Sequence, residues 1–399
     1  MKALFLVEEP PLPADTGAKL RAYNLVKEAS VKHEIVLACP CAKLQDCEKL
    51  SSAFGGRIRI EPFPISNSVG KSGLALVKRV AKNLFTPDPV IIDTKRNVKI
   101  GTWITELVKK GPFDVFHCDS IYVCSPQLGR LGLPSVFDAH NVEAMIWERY
   151  ASSASNPLMK LFWTWQLGKI KKTESKLAQW FDVAAAVSAE DMQQLMSRYE
   201  WKSCITAPNA VDLDYYSVEA LPDNNSIIFI GSLDWRPNQD AVSYMISDIL
   251  PIIRMKKPDL TLKIVGRRPP EWMSQLCKAN NVELCQDVPD VRPYLIGADL
   301  SVVPLRIGGG SRLKILESFA AGRAVVSTTV GAEGIDSSIA ARIADDPESF
   351  AQTVCTLLDD KSELTRMGEA GRKLVEERYS WEQSALHLER AWQEAIDIH

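Results

Sequence analysis

The sequence predicts an α/β protein made of two doubly wound, Rossmann-like domains that face each other across a central cleft. Three observations predict this class. Short apolar runs alternate with longer amphipathic segments along the whole chain. A segment rich in Pro, Asp and Asn, without sustained periodicity, separates two sets of such runs at residues 208–226. The length of 399 residues also exceeds what one hydrophobic core usually supports.

The apolar runs are predicted to be buried strands of parallel sheets. In the first half they are residues 2–7, 34–38, 58–61, 114–117, 135–138 and 183–187. In the second half they are residues 227–230, 260–265, 282–285, 299–303 and 324–327. The amphipathic segments between them are predicted helices that cover both faces of each sheet. Ligands of such sheets bind beyond the carboxyl ends of the strands, so the cleft is the expected site.

These elements divide the chain into three predicted parts. Residues 1–212 form the first Rossmann-like domain, and residues 213–380 form the second. Residues 381–399 form a C-terminal helix, because apolar residues stand at positions 381, 385, 388, 392 and 396, the spacing of one helix face. The sequence leaves the packing partner of this helix undecided.

Composition narrows the class of protein. Hydrophobic residues make up 46% and charged residues 24%, as in a globular enzyme. The formal net charge is −3, but residues 1–200 carry 26 Lys and Arg against 21 Asp and Glu, and residues 201–399 carry 21 against 29. The basic segments lack the aromatic interleaving of a nucleic-acid-binding groove, so no nucleic acid is expected. No apolar run approaches the roughly 20 residues of a membrane-spanning helix, so a cytoplasmic protein is expected.

Metal and disulfide signals are weak. The nine cysteines are scattered, without the spacing of a zinc site or a disulfide framework, so reduced thiols are expected. A metal cluster at Cys39, Cys41 and Cys47 is the alternative. Asp212 and Asp214 have the spacing of a metal-binding pair, but they follow Pro-Asn in the linker rather than a metal-site context. No metal and no other cofactor is therefore expected.

The strongest local signal is IGGGSRLKILESFAAGRAVV, residues 307–326. It follows an apolar run and opens with three glycines. Ser311 is the predicted N-cap and Gly322 the predicted C-terminal stop of a helix over about residues 312–321.

This helix would begin with two cations, Arg312 and Lys314, in its first turn. The helix dipole disfavours each cation there by about 0.3–1 kcal/mol. A bound anion would resolve the conflict, because the dipole, both side chains and the N–H groups of Gly309, Gly310 and Ser311 would all point at it. The segment is thus a candidate phosphate site, although its glycine spacing matches neither the P-loop nor the dinucleotide fingerprint.

Glu317 lies three residues past Lys314 on the same predicted helix. A carboxylate there can accept hydrogen bonds from the cis-diol of a ribose, which together with the phosphate would indicate a nucleotide. The alternative is that Arg312, Lys314 and Glu317 form a solvated face with an ordinary i,i+3 ion pair.

Longer segments resemble the family four glycosyltransferases, which have the GT-B fold. GGGSRLKILESFAAGRAVVSTTVGAEGI is similar to the donor-site segment of that family, and PPLPADTGAKLRAYNLV to its N-terminal glycine loop. The other similar segments are FDAHNVEAMIWER, AVSAEDMQQL, PNAVDLDYY, GSLDWRPNQDAV and VPDVRPYLIGADLSVVPL. They cover nearly the whole chain in the family's order.

The resemblance implies transfer of a sugar from a nucleoside diphosphate sugar, with retention of anomeric configuration and without a metal. It assigns the acceptor mainly to the first domain and the donor to the second. Glu317 would bind the donor ribose, and Arg312 and Lys314 would bind the diphosphate and stabilise it as it leaves. Gly17 would lie in a loop facing that diphosphate, and His140 would be the active-site histidine near the transferred sugar.

The sequence departs from the family pattern in two places. The E-x7-E pattern usually begins with a Glu that contacts the donor sugar, and Gly309 stands at that position. The usual G-R-x-x-x-x-K loop is GSLDWRP, residues 231–237, with neither basic residue in its usual place. Arg312 and Lys314 are therefore expected to supply the missing charge.

Further candidates follow other predicted strands. Ser232 and Arg267 are expected to contact the donor, and a solvated turn at Arg267 is the alternative. His117 and Asp119 close the strand predicted at 114–117 and are candidates for the acceptor side.

Two segments of the first half, KSGLALVKRVAKNLF and LMKLFWTWQLGKIKK, combine an apolar face with basic residues. They predict either peripheral docking on the anionic inner face of a membrane, to reach a lipid-linked acceptor, or two helices packed on the sheet.

The favoured function is a glycosyltransferase of cell-surface or exopolysaccharide synthesis, acting on a glycan, lipid-linked or small-molecule acceptor. One alternative is a GT-B nucleotide-sugar epimerase or phosphorylase, and another is a non-catalytic sugar-nucleotide-binding protein.

Overall fold

The chain folds into two compact units. The computed structural model describes residues 1–41, 44–63, 80–95, 100–154, 156–308, 313–336 and 338–399. Unit 1 comprises Met1–Pro208 together with Glu382–His399, and unit 2 comprises Asn209–Trp381. The first division falls four residues before the boundary that the sequence suggested at residue 212.

Unit 1 is built on a parallel sheet of seven described strands in the order β3-β2-β1-β4-β5-β6-β7. The strands are β1 Lys2–Val7, β2 Glu34–Pro40, β3 Arg59–Phe63, β4 Val115–Asp119, β5 Ser135–Ala139, β6 Val183–Ala186 and β7 Ser203–Thr206. β4, β5 and β6 are buried at every residue, as expected for a parallel sheet covered on both faces.

Helices connect these strands in unit 1. They are α1 Gly17–Ala29, α2 Leu44–Ala53, α3 Val90–Lys95, α4 Ile100–Lys109, α5 Glu143–Ser153, α6 Pro157–Trp180 and α7 Ala189–Arg198, with a 3₁₀ turn at Leu128–Arg130. Their apolar residues form one core with the strands, from Leu4 and Phe116 to Leu177 and Trp201.

Unit 2 contains a second parallel sheet, with its described strands in the order β10-β9-β8-β11-β12-β13. The strands are β8 Ser226–Ile230, β9 Thr261–Gly266, β10 Glu283–Gln286, β11 Leu300–Val303, β12 Val325–Ser327 and β13 Ala341–Ile343. The helices are α8 Arg236–Tyr244, α9 Leu250–Lys256, α10 Glu271–Ala279, α11 Arg292–Ile296, α12 Leu313–Ala320, α13 Thr329–Ala332, α14 Pro347–Asp359 and α15 Lys361–Arg378, with a π-helical turn at Met245–Ile249.

The last helix, α16 (Trp381–Ile398), joins unit 1 from Glu382 onward. Its apolar stripe is buried from Trp381 to Trp392, and Leu388 and Trp392 have no exposed surface. The Trp392 indole donates a hydrogen bond to Nδ1 of His117 on β4 at 3.3 Å. The helix whose partner the sequence left undecided therefore packs on the first sheet.

The predicted α/β class with two parallel sheets is confirmed, and every predicted strand overlaps an observed one. Two observed strands, β7 and β13, were not predicted. Both are short edge strands, and β7 is only half-buried, so neither has the continuous apolar run of a central strand. The described helices include none with the length and apolar character needed to span a bilayer.

Helix α12 ends where the sequence predicts. Gly322 has φ +67°, in the left-handed region that favours glycine. Its N–H donates to the carbonyl oxygen of Phe319 at 2.9 Å, and the N–H of Arg323 donates to that of Ser318 at 2.8 Å. This pair of hydrogen bonds is a Schellman C-terminus.

Candidate functional site

The backbones at the carboxyl ends of β8 and β9 lie close together in unit 2, where Gly266 is the last residue of β9 and Gly231 directly follows β8. A Cβ on Gly266 would lie 1.9 Å from the carbonyl oxygen of Gly231. The two residues that follow these glycines, Ser232 and Arg267, meet as a consequence, and Nε of Arg267 donates to Oγ of Ser232 at 3.2 Å. The structure thus brings together two residues that the sequence predicts as donor contacts.

Lys314 lies in the first turn of α12 and reaches the same edge of the sheet. Its Nζ donates to Oδ1 of Asn238 at 2.6 Å and lies 4.3 Å from the centre of the Phe229 ring. A Cβ on Gly231 would come within 3.1 Å of this ammonium group. The Lys314 cation is therefore located beside the β8 loop in which the resembled family carries its basic residues.

Glu317, one turn further along α12, is half-buried. Burial raises the pKa of this carboxyl group, while a hydrogen bond from the Tyr216 hydroxyl and the charge of Lys314 act in the opposite direction. Lys314 and Glu317 each have a partner outside α12. The solvated-face alternative therefore does not describe these two side chains.

The glycine-rich loop itself is only partly described. Gly309, Gly310, Ser311 and Arg312, on which the phosphate-site prediction depends, lie outside the described residues. The start of the segment is well anchored, since Nε and Nη2 of Arg306 donate to the two carboxylate oxygens of Asp240 at 3.0 and 2.7 Å.

In unit 1, His140 follows the last residue of β5. The parallel register pairs Asp119 of β4 with Asp138 of β5, so both carboxylates lie next to the imidazole. Nε2 of His140 contacts Oδ1 of Asp119 and lies 3.6 Å from Oδ2 of Asp138. The Asp119 contact is a close ion pair without the alignment of a hydrogen bond.

Arg21 of α1 completes this group from the opposite side. Its Nε and Nη2 donate to the two oxygens of Asp138 at 2.9 and 2.8 Å, and both side chains are 1% exposed. His140 is more accessible, with 20% of its side chain exposed. A buried, charged cluster therefore presents one imidazole at the sheet edge.

The charges in this cluster shift the pKa of its members. Burial by itself would lower the pKa of His140, but the carboxylates of Asp119 and Asp138 outweigh burial and raise it to about 10. Burial likewise opposes ionisation of Asp138, and Arg21, His117 and His140 together hold its pKa well below the usual range. At neutral pH His140 is thus a cation and Asp138 an anion.

His117, predicted for the acceptor side, is fully buried behind the cluster. Its Nε2 lies 3.8 Å from Oδ2 of Asp138, and its ring stacks on Phe5 with 4.1 Å between centroids. Because no part of it is accessible, His117 supports the cluster rather than lining an acceptor surface.

Gly17 is the first residue of α1, whose N-cap Thr16 accepts a hydrogen bond from the N–H of Lys19 at 3.2 Å. Arg21 lies one turn further along and contacts Asp138 at the end of β5. Gly17 therefore begins its helix at the edge of the first sheet where His140 also lies.

The segment after His140 is fixed by a buried carboxylate from α6. Oε1 of Glu174 accepts from the N–H of Glu143 at 2.7 Å, and Oε2 accepts from the N–H of Ala144 at 3.2 Å and from the Tyr199 hydroxyl at 2.6 Å. These N–H groups belong to the first turn of α5, which has no partner for them within the helix. Glu174 thereby fixes the start of the helix that follows His140.

Within the described part of the chain, Asp119, Asp138 and His140 place ligand atoms within 4.8 Å of one another, close enough to hold a metal ion. Arg21 occupies both oxygens of Asp138, and this cation would repel a second one. We therefore assign the group as an ion-pair cluster.

The metal-binding alternative at Asp212 and Asp214 has a local explanation in the structure. Oδ1 of Asp212 accepts from the N–H groups of Asp214 and Tyr215 at 3.1 and 3.2 Å, which closes a turn. At the cysteine alternative, the Sγ atoms of Cys39 and Cys41 lie 3.5 Å apart, and burial together with a hydrogen bond with Cys41 raises the pKa of the Cys47 thiol to about 11.

Two charged residues of unit 1, Arg21 and Glu174, were not predicted from the sequence, although each carries a signal. Arg21 shares the buried face of α1 with Leu25 and Ala29, four and eight residues on. Glu174 shares the buried face of α6 with Ile170. A charged residue in an apolar stripe needs a buried partner, and that pattern identifies both.

Similarity to known proteins extends beyond the short motifs. Residues 224–360, which include Lys314 and Glu317, match the family model described as glycosyl transferases group 1. The matched residues all lie within unit 2. The chain is also 21% identical over 299 residues to an uncharacterised 44.6 kDa protein in the cps region of Klebsiella pneumoniae, covering 71% of this chain and 75% of that protein.

Solved structures extend the likeness to the whole chain. HepE from Anabaena in complex with UDP-glucose matches with a TM-score of 0.65 at 13% identity, covering 98% of this chain and 99% of HepE. Sucrose-phosphate synthase from Thermosynechococcus elongatus matches with a TM-score of 0.69 at 13% identity, covering 100% and 99%. This likeness establishes the GT-B fold, and with the domain match it supports a glycosyltransferase.

Proposed function

We propose that this protein is a retaining glycosyltransferase of family four that transfers a sugar from a nucleoside diphosphate sugar. The observation that carries the proposal is the arrangement of Lys314 and Glu317 on α12, with the Lys314 ammonium group beside Gly231 and the loop that follows β8, within the segment that matches the group 1 model. The UDP-glucose bound to HepE supports a nucleoside diphosphate sugar as the donor.

In this proposal, Lys314 and Glu317 bind different parts of the donor. The Lys314 ammonium group binds the diphosphate and stabilises the charge that develops when it leaves, with Arg312 as its predicted partner. Glu317 accepts hydrogen bonds from the ribose hydroxyls, and Tyr216 holds its carboxylate in place. Because cations of the chain neutralise the leaving group, the proposed reaction needs no metal ion.

Retention of configuration follows in this proposal from attack on the same face as the departing diphosphate. A departing phosphate oxygen removes the acceptor proton, so the protein itself needs no base. His140, cationic at neutral pH, contributes a hydrogen-bond donor and a positive charge near the transferred sugar.

The acceptor is proposed to be a glycan, a lipid-linked saccharide or a small molecule of cell-surface polysaccharide synthesis. The relative from the cps region of Klebsiella pneumoniae supports this setting. A cytoplasmic protein with peripheral contact to the inner face of a membrane fits such an acceptor.

The surface of unit 1 offers a place for that contact. Leu158 and Leu161 at the start of α6 are exposed at 78% and 68%, and Phe85 is exposed at 90%. Lys160 and Lys82 lie beside them in the sequence and are exposed as well. Apolar side chains flanked by cations favour an anionic lipid surface.

The two tryptophans of the segment LMKLFWTWQLGKIKK contact other side chains of unit 1. Trp163 packs edge-on against Trp147 with 5.4 Å between centroids, and Nζ of Lys169 lies 4.3 Å over the Trp165 ring. Residues 64–79, which hold part of the first amphipathic segment, lie outside the described residues. Sedimentation with anionic and neutral vesicles at low and high salt tests the contact, and absence of binding in every condition excludes it.

The donor site is tested with a panel of UDP-, GDP- and ADP-sugars. A bound donor raises the melting temperature, because it stabilises only the folded protein. Lys314→Met should lower turnover about ten- to a hundredfold, as expected when a hydrogen bond to a charged group worth about 1.5–3 kcal/mol is lost. Lys373→Met, a matched change at an exposed lysine of α15, should have no effect.

The same assay separates the alternative functions. An epimerase or phosphorylase would convert the donor sugar without any glycosyl acceptor, and a non-catalytic protein would bind the nucleotide without consuming the sugar. If no donor of the panel shifts the melting temperature, the proposal fails.

A further inference from the structure

The charged cluster behind His140 contains two carboxylates, Asp119 and Asp138, and one permanent cation, Arg21. The side chains of all three are at most 6% exposed. With a neutral His140 the cluster would hold one uncompensated negative charge, and with a protonated His140 it is neutral. Because an unpaired buried charge is costly, charge balance favours the imidazolium.

Asp138 is already surrounded by donors other than His140. Arg21 donates to both of its oxygens. The Trp392 indole can only donate, so Nδ1 of His117 must be the acceptor in their 3.3 Å contact. A neutral His117 therefore carries its proton on Nε2, which faces Asp138 at 3.8 Å.

Asp119 differs from Asp138 in its surroundings. Its Oδ1 is buried and, within the described part of the chain, has no aligned hydrogen-bond donor. The group in closest contact with this oxygen is Nε2 of His140. Asp119 thus depends on His140 for its compensating charge, whereas Asp138 is already compensated by Arg21.

We propose that Asp119 is a positioning residue that keeps His140 as an imidazolium, with Nε2 held in an ion pair with Asp119 and Nδ1–H left to donate to a substrate. An imidazolium has two N–H donors and no acceptor, so His140 in this state cannot remove a proton. The identity of the substrate rests on the proposed glycosyl transfer, but the protonation state of His140 does not.

The charge state is measured directly by NMR on the intact protein with ¹³C-labelled histidine. The chain has five histidines, and the His140 signal is identified by its loss in His140→Gln. In the wild type, His140 should remain protonated between about pH 6 and pH 9. In Asp119→Asn, the His140 signal should titrate within that interval, because the nearer of the two carboxylates is gone and Arg21 already compensates the other.

Asp114→Asn is the matched control. Asp114 immediately precedes β4, at the end of the strand opposite Asp119, and its carboxylate accepts a hydrogen bond from the N–H of Lys2 at 2.7 Å. This variant should leave the His140 signal unchanged. If Asp119→Asn does not fold, the wild-type titration and Asp119→Glu, which retains the carboxylate, still decide the question.

The activity readout uses the pH dependence of kcat/KM with an accepted donor. In the wild type, kcat/KM should not fall through deprotonation of His140 between about pH 6 and pH 9. In Asp119→Asn, kcat/KM should fall about tenfold as pH rises through that range. A purely structural role for Asp119 would lower the rate at every pH alike. Titration of wild-type His140 near its ordinary pKa of 6.5, or an unchanged His140 pKa in Asp119→Asn, overturns the inference. Absence of any transferase activity would count only against the proposed function, because the NMR result is independent of turnover.

Discussion

At the scale of single residues, Gly266 shows how a missing side chain shapes the candidate donor site. The backbones after β8 and β9 stay hydrogen-bonded beyond the sheet, since the N–H of Leu233 donates to the carbonyl oxygen of Arg267 at 3.0 Å. This continued pairing requires the close approach of Gly266 to Gly231. Ser232 lies between the paired positions and is held beside Arg267 for that reason.

Gly266→Ala should lower the free energy of unfolding by about 1–3 kcal/mol, because the new methyl group would overlap the carbonyl oxygen of Gly231. Denaturant unfolding measures the change, and donor-induced thermal shift should weaken with it. Gly168→Ala in α6 is the control, since a methyl group there would have no neighbouring atom within 4 Å. The free energy of unfolding of that variant should rise by about 0.5–1 kcal/mol. Equal stability of both variants would contradict the close-approach argument.

The stability of the protein should also depend on the charge of His140. Its pKa is 6.5 in the unfolded chain and is raised to about 10 by folding, so its contribution is complete below pH 6.5 and is lost as pH rises through about 10. Denaturant unfolding of the wild type and His140→Gln at about pH 6, 8 and 10 measures this. The difference between their free energies of unfolding should shrink toward the highest pH. A difference that stays constant with pH would contradict the prediction.

At the scale of elements, the start of α5 depends on a residue of α6. Glu174 is 3% exposed, and burial raises the pKa of its carboxyl group to about 7 while the hydrogen bonds that it accepts oppose this rise. The carboxylate replaces the missing partners of the first turn of α5. It thereby fixes the position of that helix relative to His140, three residues before Glu143.

Glu174→Gln should cost about 1–3 kcal/mol of stability, because one oxygen becomes an amide that cannot accept the hydrogen bonds it now receives. Hydrogen exchange at the N–H groups of Glu143 and Ala144 should accelerate more than elsewhere in the chain. Glu200→Gln, at an exposed position before β7, should change stability by less than about 0.5 kcal/mol. Uniform acceleration of exchange along the chain would argue against a local role for Glu174.

The sequence predicts the central strands because parallel sheets covered on both faces need continuous apolar runs. It predicts the end of α12 because Gly322 is suited to a left-handed C-terminus. It does not reveal that Asp119, Asp138 and Arg21 meet at His140, because that meeting depends on the β4–β5 register and on the packing of α1.

The candidate donor site is likewise predictable from the sequence only in part. The helix after β11 and the carboxylate of Glu317 follow from the local pattern and the family resemblance. The contact of Lys314 with Asn238 does not, because α8 and α12 are far apart in sequence and meet only across the sheet edge. The phosphate contact of residues 309–312 stays a prediction.

At the scale of the whole molecule, unit 1 is assembled from both ends of the chain. The chain leaves it at Pro208 and returns to it at Glu382. Trp392 has no exposed surface and contacts His33 as well as His117, with 5.7 Å between the Trp392 and His33 ring centroids. The last helix therefore supplies core to the first sheet.

Trp392→Ala should destabilise unit 1 by about 3–5 kcal/mol, the usual cost of truncating a buried aromatic side chain to alanine. On heating, hydrogen exchange in this variant should accelerate in residues of unit 1 and stay unchanged in residues of unit 2. Trp272→Ala in α10 is the control, because that side chain is 42% exposed. Equal destabilisation of both units would show that they unfold together.

The position of α16 also sets an order of events during synthesis. When Thr206 of β7 has just been translated, all the described strands of the first sheet have been synthesised, but the helix that covers His117 has not. The ribosome must first add residues 209–381, which takes on the order of 10–30 s at about 5–20 residues per second. Throughout that interval the nascent sheet exposes an apolar face that folding factors can bind. The exposure ends once the last helix has been synthesised and packs on the sheet.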